Sequence, residues 1–311
     1  MNADLEKQLC VTTEKEGVLL KLCLHILLFF RETDDTLPKR QVYLDILDEH
    51  CALTGDRYRW TANPKTEKFK RLKNGIGSYI HPRDWLLDQG SHKPWNLLYH
   101  GGENGCDASD IQVTAALRTT RSVRPGFILL QFPVDQFDGQ TVGLPELAVK
   151  WCAALKPEHG YAGLRLAESP CYADREGSRY SLQFSRRFQG LDVGSPFSHF
   201  WSLTQSIKGA DWLTILSNDF VRKLGGPEAV RQGMGDLPVL PYGGGLILQT
   251  GPLPLVGDVE KGQDMSAYKR VARIVEPIRC KDHRAPYTSR PTFFPREEYQ
   301  KWLARFSPQP E

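Results

Sequence analysis

The chain is poor in the features that would tie it to a chemistry. Its seven cysteines in 311 residues are scattered, the nearest neighbours being Cys10 and Cys23, and no CxxC occurs. That spacing and the odd count exclude a zinc ribbon and argue against a disulfide framework, so reduced thiols in the cytoplasm are expected. The net charge is only +3, too small for a nucleic-acid coat or a membrane surface. The apolar run GVLLKLCLHILLFF is fourteen residues long and contains Lys21 and His25, too short and too polar to span a bilayer. The opening MNADLEKQLC carries acids where a secretion signal would carry Lys or Arg, so the expected location is cytoplasmic, with no membrane partner.

Catalytic signatures are missing as well. HExxH is absent, no serine sits in GxSxG, and no lysine has Asp or Glu two positions before it, which excludes the [D/E]-x-K strand of a restriction-type nuclease. PYGGGLILQTGP, Pro241 to Pro252, has the glycines of a phosphate cradle. No Gly-Lys-Ser/Thr follows, and Leu248 stands where a dinucleotide fingerprint needs its third glycine. The stretch reads as a tight turn into a core strand. Cys23 and His25 share one face of a predicted strand, but two ligands make no metal site, and a buried, hydrogen-bonded histidine is the simpler reading. No metal, no cofactor and no enzymatic activity are expected.

What is present is ordinary globular material, 40% apolar and 25% charged, with 27 glycines and 21 prolines that imply many turns. Val18–Phe30 reads as a long strand. LPKRQVYLDILDEHCALTG reads as a helix with Pro38 near its start and Gly55 at its end. Residues 57–107 read as irregular with short helices. IQVTAALRTT and GFILLQFPV read as strands, LPELAVKWCAAL as a helix, and YAGLRLA as a strand. Further on, SRYSLQFSRRF, NDFVRKLGG, MSAYKRVARIVEPI and PREEYQKWLARF read as helices, and DWLTILS and GLILQTG as strands. The spacing predicts an α+β fold of mixed, largely antiparallel sheets flanked by helices. A division near residue 157 separates an N-terminal half, 1–157, from a C-terminal half, 158–311, as two subdomains sharing a core. Monomer and homodimer both fit this composition.

Two charged surfaces stand out. RYRWTANPKTEKFKRLK, Arg57 to Lys73, interleaves basic residues with Tyr58, Trp60 and Phe69, a pattern that can track a phosphate backbone and stack bases. A solvated loop is the alternative, and no direct nucleic-acid contact is expected. On the helix after Pro38, Asp45, Asp48 and Glu49 fall at i, i+3 and i+4, with Asp34 and Asp35 just before it. These five acids form a candidate contact for a basic protein partner.

Five stretches of the C-terminal half occur in a recognisable order: GYAGL (Gly160–Leu164), RFQGLDVG (Arg187–Gly194), IKGADWLTILS (Ile207–Ser217), LGGPEAV (Leu224–Val230) and PYGGGLILQTGPLPLVGDV (Pro241–Val259). In these the chain resembles the TsiV-like type VI secretion immunity family. The resemblance implies a bacterial protein that binds and neutralises a cognate toxin delivered between competing cells, a nuclease acting in the cytoplasm. It offers no catalytic residues. It implies that Gly160, Gly163, Trp212, Gly243, Gly244 and Gly245 are determinants of the fold. Two other functions fit the residues: a hydrolase that reverses a toxin's modification, using the glycine turn with Tyr242 and Gln249, and a nucleic-acid-binding adaptor using Arg57–Lys73.

Overall fold

A computed structural model describes residues 3–31, 36–63, 66, 68–79, 81–88, 94–117, 126–138, 143–171, 176–199, 202–283 and 295–307. Its elements begin with α1 (Ala3–Gln8), β1 (Val11–Thr13), β2 (Gly17–Phe30), α2 (Leu37–Leu53), β3 (Trp60–Ala62), β4 (Phe69–Arg71), α3 (Arg83–Leu86) and β5 (Trp95–His100). Next come β6 (Gln112–Leu117), β7 (Gly126–Phe132), α4 (Leu144–Leu155), β8 (His159–Glu168), α5 (Glu176–Arg187) and α6 (Pro196–His199). The chain continues through β9 (Leu213–Ser217), α7 (Asn218–Lys223), α8 (Pro227–Met234), β10 (Val239–Pro241), β11 (Gly245–Gln249), α9 (Ser266–Val275) and α10 (Arg296–Leu303).

The long apolar run is the centre of the molecule. It becomes β2, buried on both faces over most of its length, which is why it reads as continuous rather than alternating. Ten strands form one path in the order β10-β11-β9-β8-β2-β7-β6-β5-β3-β4, and β1 pairs with β2 off this path. Every pairing between named strands is antiparallel. β2 pairs with β8 from Leu20↔Glu168 to Phe29↔His159, and with β7 from Leu24↔Phe132 to Phe30↔Gly126. The sheet is thus continuous across residue 157, with strands from both halves of the chain side by side.

Alternation along β2 sends Leu24, Ile26, Leu28 and Phe30 to one face and Cys23, His25, Leu27 and Phe29 to the other. Helices α2 and α4 cover the first. Phe30 meets Tyr43 at 4.8 Å between ring centroids, and Phe132 meets His50 at 4.4 Å and Trp151 at 6.2 Å. The second face takes α6, with Phe29 against His199 at 5.9 Å and Phe127 against Phe197 at 5.0 Å. Local signals set the helix ends. Thr36 caps α2 by accepting from the Lys39 amide, and Glu146 reaches back to the Gly143 amide at 3.0 Å to start α4.

Two expectations are corrected. Residues 57–107 carry β3, β4 and β5 as well as short helical turns. β3 and β4 have three residues each, WTA and FKR, too few to show a readable period. The reduced-thiol expectation fails for two cysteines: Cys106 and Cys171 form a disulfide, their Cα atoms 5.2 Å apart across a sequence separation of 65. The sheet juxtaposes them. The Cys106 carbonyl accepts from Ser169 Oγ at 2.6 Å, just past the end of β8. Cys10, Cys23, Cys51, Cys152 and Cys280 are free.

Candidate functional site

A row of polar side chains crosses the second face of the otherwise apolar sheet. Gln112 on β6 lies opposite Gln131 on β7. Gln131 is paired with His25 on β2, and Cys23, two residues back, with Arg165 on β8. Gln131 Nε2 donates to Cys23 Sγ at 3.1 Å, and Gln112 Nε2 donates to Thr114 Oγ1 at 2.8 Å. Burial pushes the Cys23 thiol up to about 12, so it stays neutral. Four atoms of the row have no hydrogen-bond partner among the described residues: Gln112 Oε1, Gln131 Oε1, Arg165 Nε and His25 Nε2, the last 3.4 Å from Asp192 Oδ2. Native interiors leave few such groups unpaired.

At the β8 end the row runs into a cluster of buried charges. Asp192 accepts from Arg165 Nη1 at 2.6 Å and from Lys208 Nζ, while Arg165 Nη2 donates to the Gly194 carbonyl. Burial opposes the Asp192 charge, but Lys208 and Arg165 override it and hold the carboxyl well below the usual range. Burial, with the Asp192 charge alongside, raises Asp211 to about 7 against the pull of Lys208. Burial lowers His25 to about 3, and its Nδ1 donates to the Gly163 carbonyl at 3.1 Å. Gly163 makes room for this cluster, since a Cβ there would lie 2.6 Å from Asp211 Oδ1. His25, Asp192 and Asp211 offer ligand atoms within 4.8 Å of one another. Lys208 Nζ already contacts Asp192 and stands 3.8 Å from Asp211 Oδ2. Fixed ammonium and guanidinium groups thus hold the place a metal cation would need, and the residues present do not fit a metal.

Over the row opens a cleft of about 340 Å³. Asn96, Gln112, Thr114, Gln131, Arg165 and Glu168 are among its polar lining, and Phe69, Leu98, Leu129 and Phe197 are among its apolar walls. Sequence reading missed this site. The available signal was polar residues inside apolar strands, Gln112 in IQVTAAL, Gln131 in ILLQF and Arg165 in GLRLA. The pairing that aligns them is not local.

The residues singled out in the sequence lie elsewhere. Asp45 and Asp48 are on the exposed side of α2, with carboxylates 61% and 44% exposed, and Arg83 Nη2 reaches both. Glu49 is engaged by Lys150 Nζ at 2.5 Å and by Trp151 Nε1 at 2.8 Å. Asp34 and Asp35 lie outside the described residues. In the basic stretch, Tyr58 is buried against His50. Phe69 packs edge-on to His100 at 6.0 Å, and the Trp60 ring lies beside Gly105. These rings are engaged in packing rather than standing free to stack bases. In the PYGGG stretch, Gly243 has φ +76° and turns the chain, while a Cβ on Gly245 would sit 1.9 Å from the Leu216 carbonyl oxygen. Gly160 likewise faces the Leu27 carbonyl, and Trp212 is buried with its Nε1 donating to the Gly251 carbonyl at 2.7 Å. Tyr242 Oη donates to the Leu216 carbonyl at 3.0 Å, and Gln249 Nε2 to the Gly251 carbonyl at 2.8 Å. A shallow hollow beside Gly244 holds Arg31, already paired with Glu158 and Asp219.

No curated protein matches the chain. Among solved structures, it is similar to the Pseudomonas aeruginosa T6SS protein PA0821, with a TM-score of 0.85 and 21% identity over 99% of this chain and 90% of that one. The likeness establishes a shared fold. The sequence profile of TsiV, described as type VI immunity for VRR-NUC, matches residues 43–306. That match takes in all five motifs whole, the buried charges Arg165, Asp192, Lys208 and Asp211, and all the cleft-lining residues, and the chain therefore belongs to the TsiV family of type VI immunity proteins.

Proposed function

We propose that this protein protects its own cell by binding a VRR-NUC nuclease toxin of the type VI system and blocking it, without catalysis of its own. The observation that carries this reading is the family match over residues 43–306. The absence of free reactive groups at the glycine turn supports a binder over a hydrolase, since Tyr242 and Gln249 are both committed to backbone carbonyls. Among the described residues no helix is long and apolar enough to cross a membrane. We place the encounter in the cytoplasm, where a nuclease meets nucleic acid. A basic toxin would be drawn by the exposed carboxylates of Asp45 and Asp48, with Asp34, Asp35 and Glu49 at the same end of the chain or on the same helix. Inhibitors of secreted nucleases are among the tightest protein ligands known, and tight association is expected here.

The test is a nuclease assay with the VRR-NUC toxin made in the same cells. One equivalent of the full chain is expected to abolish cleavage of DNA or RNA by that toxin. Cleavage that continues at saturating concentrations of the chain would sink the reading.

A further inference from the structure

We infer that the cleft over β6 and β7 is the seat for an uncharged peptide loop of the toxin, whose amide groups pair with Gln112, Gln131 and Arg165. The inference rests on the immunity reading above and assigns it a surface.

The chemistry of the floor selects the occupant. Gln112 and Gln131 are direct cross-strand neighbours, so both side chains rise from one face, and each carries an oxygen without a partner. Both are acceptors in want of a donor. Arg165 Nε–H is a donor in want of an acceptor. A peptide group supplies both N–H and C=O and answers all three, whereas an anion or a cation answers only one kind. All three side chains are buried, with Gln131 at 1% and Arg165 at 2% exposure. Unpaired polar atoms at that depth are costly, and an occupant that pairs them gains accordingly.

Charge points the same way. Arg165 is locked to Asp192, and Glu168 lies near enough to attract it. Lys208 pairs with Asp192 from behind. Two cations thus offset two carboxylates, and Asp211, raised to about 7 by its burial, is set against the Arg305 guanidinium. The floor presents hydrogen-bonding capacity without net charge, which favours a neutral segment over a lysine or arginine side chain. The size excludes larger partners. About 340 Å³ falls at the lower end of ligand sites, too narrow for an α-helix of about 10 Å diameter or for a nucleic-acid duplex. Phe69, Leu98, Leu129 and Phe197 offer apolar walls for the side chains of a short loop. The arrangement is preorganised: the Asp192 and Gly194 contacts fix the Arg165 guanidinium, and the Cys23 contact fixes the Gln131 amide.

The experiment measures the affinity of the full chain for the VRR-NUC toxin it neutralises. Thr114→Trp fills the cleft from β6, and Gln131→Leu removes one acceptor while leaving its backbone bond to His50 in place. Thr114→Trp is expected to weaken Kd by about 30-fold or more and Gln131→Leu by about 10-fold, the scale of interface hot spots. As a second measurement that does not depend on a bulky substitution, Asn96→Cys places a thiol in the cleft wall, and bound toxin should slow its alkylation by about 10-fold or more. A folded Thr114→Trp protein that binds within twofold of wild type overturns the inference, as does alkylation of Asn96→Cys at the same rate with and without toxin. So does a low-mass compound found by native mass spectrometry in the chain purified without toxin and lost in Thr114→Trp, which would make the cleft a small-ligand site. If the unaltered chain fails to bind the toxin at all, it is the immunity reading that fails.

Discussion

Lys208 Nζ donates to Asp192 Oδ1 with both side chains shut off from water, and the same carboxylate takes Arg165 on its other oxygen. The Lys208 ammonium also stands 4.3 Å from the centre of the Tyr161 ring. Three separate segments, β8 and two loops after it, supply these groups, and each charge is tolerable only because the others are in place. Buried pairs of this kind add little net stability over an apolar core, but removing one partner strands the other.

Asp192→Asn is therefore expected to destabilise the protein by about 3–5 kcal/mol, measured by urea denaturation at pH 7. Lys208→Met should cost a similar amount, because it leaves Asp192 with Arg165 alone. The double variant should cost less than the sum of the two. A loss below about 1 kcal/mol in either single variant would mean that the ion pair is not sealed from water as described.

The Cys106–Cys171 bond closes a loop of 65 residues that includes β6, β7 and α4. Cross-linking a loop of that length lowers the entropy of the unfolded chain by an amount worth about 4 kcal/mol at 25 °C. Replacing both cysteines by serine is expected to lower stability by about 2–4 kcal/mol, and dithiothreitol should do the same to the unaltered chain. Peptide mapping without reduction checks the pairing directly. An equal melting temperature with and without reductant would show that the bond is absent in solution.

Much of this architecture is visible in the sequence wherever one element makes its own signal. β2 announces itself as an apolar run, and α4 as LPELAVKWCAAL between a glycine and a left-handed Lys156. The short β3 and β4 do not, because three residues are too few to carry a period. The cleft was hidden for a different reason. Gln112, Gln131 and Arg165 become neighbours through antiparallel register on four strands, and register is a property of pairs. The charge cluster was half visible: Arg165 in GLRLA and Lys208 in IKGADW are cations within apolar stretches, which buries them and so requires a carboxylate. That the carboxylate is Asp192, from RFQGLDVG, is a matter of tertiary contact.

Acid should unfold this protein earlier than its carboxylates alone would dictate. Burial lowers His25 and His50 to about 3 and His100 to about 4. The fold holds these imidazoles neutral, while the unfolded chain protonates them near 6.5. Between about 4 and 6.5 the unfolded state binds more protons, so stability rises with pH there and is lost as pH falls. Each imidazole contributes a slope of up to about 1.4 kcal/mol per pH unit. Asp211 has the opposite sign: its raised carboxyl contributes stability that is lost as pH rises from about 4 through 7. Three histidines outweigh one aspartate, so the urea midpoint is expected to fall between pH 7 and pH 5. A midpoint that is flat or rising over that interval would contradict the neutral, buried state of the three rings.

The acids on α2 make a kinetic prediction whose sign can be tested from both directions. Asp45 and Asp48 face solvent but share the Arg83 guanidinium, which cancels part of their field. Exposed charges at the rim of an interface act mainly on the association rate and its salt dependence. Reversing both to lysine is expected to slow toxin association by about 10-fold at low ionic strength and to flatten its salt dependence. Arg83→Gln should do the reverse, because it frees both carboxylates while removing only surface ion pairs worth about 0–1 kcal/mol. Glu49→Lys is a different matter. Glu49 accepts from Trp151 Nε1 as well as from Lys150, so its reversal should lower stability and leave the association rate to Asp45 and Asp48. If reversal at 45 and 48 and removal of Arg83 shift the rate in the same direction, or not at all, the toxin does not approach over this face of α2.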